Sequence, residues 1–182
     1  MSTATAPVIS AGAWKIDPVH SQLGFAVKHM VVATFRGHFD SYDGQLTVAE
    51  DGTPQLVGTV RADSLAVKDE NLAAHLRSPE FFDAERYPEL RFESTAVNVN
   101  DGAIEVEGDL TIKDHTHRVT ARGTLNGPHV NIAGRDTLGI ELEAVIDRRE
   151  YGLEWNAPLP KGGFALENDV KLQVVLELSR EA

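Results

Sequence analysis

From Ile104 to Ile112 the chain alternates by twos: Ile104, Val106, Leu110 and Ile112 occupy one parity, and Glu105, Glu107, Asp109 and Thr111 the other. Successive side chains of an extended strand point to opposite faces, so such a segment has one dry face and one wet face. The pattern recurs in Leu23, Phe25 and Val27 against Gln22 and Lys28, and in Ile140, Leu142, Ala144 and Ile146 against Glu141, Glu143 and Asp147. It closes the chain with Val170, Leu172, Val174, Leu176 and Leu178. Turn signals at 50–52, 99–102 and 126–128 separate several of these runs and suit hairpins. Strands are expected near 13–16, 21–28, 35–49, 55–63, 89–99, 103–113, 117–125, 137–147 and 169–179. About eight strands with one wet face must close on themselves or stack as two sheets, because an open sheet keeps bare edges and an uncovered apolar face.

Small residues punctuate the dry parity: Gly108, Ala121, Gly123 and Ala144. A barrel of about eight strands is just wide enough to be filled by side chains or to hold one small ligand. Thinning its lining favours a ligand, whereas small residues that only fit the taper or coiling of the strands favour a solid core. Periodicity leaves both open.

One segment, residues 69–83, breaks the pattern. Asp69 and Glu70 suit a helix start, Leu72, His75 and Leu76 share a helical face, and Ser78-Pro79-Glu80 reads as an N-cap followed by a second helical turn. Neighbouring helical residues point about 100° apart, so Phe81 and Phe82 are expected to face different ways, one closing a barrel end and the other packing under the helix. Pro88 returns the chain to extended structure.

Composition narrows the function. A chain of 182 residues with 42% hydrophobic content supports one core, so residues 13–182 are read as a single domain and 1–12 as a flexible tail. The net charge of −11, with no local Lys/Arg cluster to offset it, is expected to repel phosphate backbones and anionic lipid surfaces and argues against nucleic acid as a partner. The amino terminus lacks a leader pattern and no window is long and apolar enough for a spanning helix, so a cytoplasmic protein without stable membrane insertion is expected. The absence of cysteine removes thiol nucleophiles and thiolate metal sites. No H-E-x-x-H, G-x-S-x-G, phosphate-binding loop or dinucleotide fingerprint is present, so the chain is read as a non-enzyme with no required cofactor. Asp17 beside His20 is its best polar pair. His115 and His117 would share one side of a strand, with Asp114 as a third ligand for a transition metal; the competing reading is a solvated hairpin.

Certain residues, in order, carry a family resemblance: Trp14, Asp17 with His20-Ser21, Phe25 with Lys28-His29, Gly37-x-Phe39, His75-Leu76, Phe81-Phe82-Asp83, Tyr87-Pro88 with Phe92, Gly108-x-Leu110-Thr111-Ile112, and the closing alternation from Val170 to Leu178. Across about residues 14–180 the chain resembles the YceI-like family, lipocalin-like proteins known for binding polyisoprenoids and related amphiphiles. It departs from the family pattern in lacking a leader, in reading Asp114-His115-Thr116-His117 where Gly, an aliphatic residue, Thr and a base are usual, and in carrying Tyr151-Gly152 where Phe-Gly is usual. The resemblance implies an all-β, antiparallel lipocalin-like barrel with a short helical insertion near residues 69–83. It also implies carriage of a long apolar chain, a polyisoprenoid, an isoprenoid quinone or a similar lipid, in the interior.

The lining residues then expected are Phe25, Val27, Phe39, Phe92, Leu110, Ile112, Leu142 and Ile146, with Phe81 or Phe82 at one end. An anionic head group would call on Lys28, His29, Arg36, His38, His75 or Arg77, of which His29 and Arg36 are the chosen contacts, although strand parity turns Arg36 away from Phe35 and Phe39. A quinone head would use Tyr42, His29 or Trp155. Two other readings stand beside carriage: a barrel enzyme acting on an isoprenoid-like substrate, and a stress-linked scaffold that dimerises through exposed strands around an incidental cavity.

Overall fold

A computed structural model describes residues 9–182. Eleven strands form one antiparallel sheet: β1 (Gly12–Ile16), β2 (Gln22–His29), β3 (Ala33–Phe39), β4 (Tyr42–Val48), β5 (Pro54–Arg61), β6 (Leu65–Ala66), β7 (Glu89–Asn100), β8 (Ala103–Ile112), β9 (His115–Val130), β10 (Asp136–Asp147) and β11 (Leu166–Arg180). The helix α1 (Glu70–Arg77) lies between β6 and β7, and short 3-10 turns occupy Ala62–Ser64 and Arg148–Tyr151.

Eight strands close the ring in the order β1-β4-β5-β7-β8-β9-β10-β11, with β1 pairing back onto β11. The long strand β11 makes this closure by serving two partners along one edge. Its residues 166–175 pair with β2, and beyond them Leu178, Ser179 and Arg180 pair with Ile16, Lys15 and Trp14. β2, β3 and β6 extend the wall at the other end. Closure satisfies backbone groups that an open sheet would leave bare.

The alternation decides what fills the inside. At one end Trp14, Leu46, Leu138, Ile140 and Leu178 are buried in a packed core. Around α1 a second cluster gathers Phe25, Phe39, Leu65, Leu76, Phe81, Ile112, Ile146 and Tyr151. On the outer face of β8 and β9 the polar parity forms ion pairs, Arg118 with Asp109 and Arg122 with Glu105.

Four expectations need correction. The run 35–49 is a hairpin, broken at Asp40-Ser41 between β3 and β4. Asn126-Gly127-Pro128 lies inside β9, and the turn falls at 131–135, where the Asn131 side chain accepts from the Ala133 and Arg135 amides. Ser78 ends α1 rather than starting a second helix: its hydroxyl donates to the His75 carbonyl, and the chain continues in turns. Residues 1–8 of the expected tail lie outside the described residues, but 9–12 are tied down. Ile9 packs on the core, and the Ser10 and Ala11 carbonyls accept from Trp14 and Arg180.

Candidate functional site

Between the solid end and the helix the barrel encloses a cavity of about 490 Å³ with an almost wholly carbon wall. The strands supply that wall by parity: Phe25 and Val27 from β2, Phe39 from β3, Phe92 from β7, Leu110 and Ile112 from β8, Leu142 and Ile146 from β10. The two alanines named on the dry parity, Ala121 and Ala144, also border the space. The glycines do not enlarge it. A Cβ on Gly108 would overlap the Phe92 ring, and one on Gly37 would overlap the Phe25 ring, so each glycine seats an aromatic side chain. Gly123 instead allows the Glu141 backbone to approach closely. Hollow and solid readings of the small residues therefore each hold for different positions.

Helix α1 caps the cavity with Leu72, His75 and Leu76. It starts where the sequence placed it, with the Asp69 carboxylate accepting from the Leu72 amide at 2.8 Å. Phe81 and Phe82 both border the cavity, against the expectation that they would diverge. The segment after Ser78 folds as turns, with the Phe81 amide on the Ser78 carbonyl and the Phe82 amide on the Leu76 carbonyl, so the helical angle does not apply. Phe81 packs 5.4 Å from Trp155 between ring centres, and Phe82 stands edge-on to Phe39 at 5.7 Å.

The polar candidates divide. His29, His75, Tyr42 and Trp155 reach the cavity wall. His75 stands edge-on between Phe81 and Trp155, each 5.0 Å away, and bonds the Glu80 carboxylate. Arg36 lies outside, 3.3 Å from the Gln173 side chain across the sheet, which strand parity had indicated. His38 pairs with Asp40, and Arg77 is spent on Glu70 and the Leu65 carbonyl. His115 and His117 do not converge on one metal position: His115 pairs with Asp114, while His117 bonds the Glu150 carbonyl and lies edge-on to Tyr151. Among the described residues the metal-like grouping is Asp17, His20 and Glu177, near the β1–β11 closure and outside the cavity wall. The Asp17 carboxyl is held below its usual range by its bond to His20, which is in turn held protonated to higher pH.

Sequence reasoning missed Arg148. It is buried at the cavity's edge without a carboxylate partner, and its guanidinium donates to the carbonyls of Leu153, Trp155 and Glu167 and to the Asn168 side chain. Burial depresses its pKa. The signal was available, since Arg148 shares the inward parity of Ile146. It fastens the segment 153–168, and thereby Trp155, Ala157 and Ala165, along the rim.

A closed antiparallel barrel, solid at one end and hollow at the other under a helical cap, defines a lipocalin-like barrel protein. The chain matches the YceI-like domain over residues 14–178, and it belongs to that family. It is 32% identical over 166 residues to UPF0312 protein SA2479 of Staphylococcus aureus, a match covering 90% of this chain and 95% of that protein. BcnA of Burkholderia cenocepacia has the same fold, with a TM-score of 0.76 at 21% identity over 89% of this chain and 98% of BcnA. A polyisoprenoid binding domain from Saccharophagus degradans, implicated in plant cell wall breakdown, superposes with a TM-score of 0.66 at 14% identity, covering 92% and 98% of the two chains.

Proposed function

We propose that this protein binds and carries a long-chain amphiphile, a polyisoprenoid, an isoprenoid quinone or a lipid of that kind, without transforming it. The observation that carries the reading is the carbon-lined cavity of about 490 Å³ under α1, within the span of roughly 300–1,000 Å³ usual for small-molecule sites. Each methylene moved from water to such a wall contributes about 0.8 kcal/mol, so a single five-carbon isoprene unit contributes about 4 kcal/mol before ordering and association costs. Burial of this kind has no direction. The wall therefore accepts related tails, and His29, His75, Tyr42 and Trp155 are left to select the head group. A polyisoprenoid is the favoured cargo because the Saccharophagus degradans domain is described as binding one. The non-catalytic reading draws on the site's chemistry: the paired Asp17 and His20 stand outside the cavity wall, and His75, which reaches it, is packed between Phe81 and Trp155 and bonded to Glu80, whose carboxylate lies off the wall.

Cargo retention is the test. Native mass spectrometry of protein exposed to a polyprenol should show a one-to-one complex. Ala144→Phe, which projects a ring into the cavity, should weaken that complex more than tenfold, since excluding one methylene alone costs about fourfold. A complex equally tight in Ala144→Phe would place the lipid elsewhere and overturn the reading, and conversion of the polyprenol by the pure protein would make it an enzyme.

A further inference from the structure

Beside the cavity two loop tips project together. The β2–β3 turn carries Met30, Val31 and Val32, which are 43%, 60% and 82% exposed, and the 157–165 hairpin carries Phe164, 59% exposed. They form one surface: the Met30 amide donates to the Ala165 carbonyl, Gly163 lies against Val31, and Leu159 and Gly163 close the second tip. Met30, His29, Ala157 and Ala165 also line the cavity, so this apolar surface is continuous with its mouth. Val31 has φ +67 and Met30 φ +51, the left-handed region that a β-branched residue adopts only at a cost. Local backbone preference therefore favours another residue at Val31, and its apolar side chain stays mostly exposed in the free protein.

Charge selects the occupant. Residues 28–34 and 155–165 contain no aspartate or glutamate, in a chain with 28 of them, but they contain Lys28 and Lys161. Both lysines are exposed, and neither forms an ion pair among the described residues. A second copy docking by the same surface would bring these cations together. A phospholipid surface instead offers acyl carbon to the apolar tips and phosphates to the lysines. The chain's net charge of −11 opposes anionic lipid at long range, but salt screens it beyond about 8 Å, so the local sign at the tips governs the contact.

We propose that these two tips dock the cavity mouth onto a phospholipid bilayer, so that a tail passes between bilayer and barrel without crossing water. The contact is peripheral and needs no spanning segment. It rests on the carriage reading for its purpose, but it is measured separately. Flotation with vesicles of phosphatidylcholine, and of phosphatidylcholine with phosphatidylglycerol, should recover the protein in both, more with the anionic lipid. The triple variant Val31→Asn, Val32→Ser, Phe164→Ser should lower the bound fraction about tenfold. Asn suits the left-handed conformation, so the variant should keep its thermal midpoint. Lys28→Glu with Lys161→Glu should remove the preference for anionic vesicles. Ile132→Ser, an exposed apolar control on the β9–β10 turn at the solid end, should change nothing.

Absence of flotation, or a triple variant that floats like the parent, overturns the proposal. So does a parent that is dimeric in light scattering and does not float while the triple variant is monomeric, which would make a second copy the occupant. Polyprenol retention measured on the same preparations separates the two readings: retained lipid without flotation sinks docking alone, and flotation of a protein that retains no lipid sinks carriage alone.

Discussion

Tyr151 shows how one atom can be out of place in a well-packed wall. Its ring is fully buried, edge-on to His117, while its hydroxyl has no hydrogen-bond partner among the described residues. A buried orphan hydroxyl costs about 1–3 kcal/mol, so Tyr151→Phe should raise stability by about 1 kcal/mol in urea unfolding. Burial also pushes the Tyr151 pKa up to about 12. Its unfolded value is lower, so the unfolded chain loses this proton first as pH rises. Stability from this group is complete below about pH 10 and lost as pH climbs toward 12. Tyr151→Phe should therefore flatten the alkaline fall in stability over that window, read by melting temperature against pH. Arg148 is the converse case, a buried charge solvated by carbonyls. Arg148→Met leaves those carbonyls unpaired and should cost about 3 kcal/mol, loosening the 153–168 rim in hydrogen exchange.

Helix α1 is short, and its hold on the cavity depends on its ends more than on its length. Eight residues are too few to be stable alone. The Asp69 cap, the Ser78 hydroxyl and the inward Leu72 and Leu76 compensate. Asp69→Ala should cost about 1 kcal/mol and speed exchange of a bound polyprenol, read by stopped-flow fluorescence of a labelled chain. The helix start was legible because an Asx cap before a 3.6-residue apolar period is a local signal. The paths of Phe81 and Phe82 were not, because turn hydrogen bonds that reach back to Leu76 and Ser78 replaced the second helix that Pro79 suggested. In β9 the Gly127-Pro128 pair likewise read as a turn, yet it is held in the sheet as a bulge: Asn126 lies opposite Gly139 and His129 opposite Thr137, so two residues of β9 stand against Leu138 alone in β10.

For the whole molecule the decisive event is ring closure. Only three pairs join β1 to β11, and Trp14 sits among them, fully buried. Trp14→Ala should cost about 3–5 kcal/mol, measured by urea unfolding, far more than truncating any tip residue of the mouth. Because Trp14, Leu138, Ile140 and Leu178 of the solid end do not line the cavity, Ala144→Phe should leave the unfolding midpoint close to that of the parent while weakening the polyprenol complex more than tenfold.

By itself the sequence determined the strand parities, and with them which side chains face inward; side-chain direction in a strand is a local, two-residue property. Phe25, Val27, Leu110, Ile112, Leu142 and Ile146 could be placed on the wall for that reason, and Arg36 outside it. Tertiary structure alone decided where the interior stays empty. Whether a glycine leaves room or seats a ring, as Gly108 seats Phe92, depends on a neighbour in another strand, and volume is a property of all the facing strands at once.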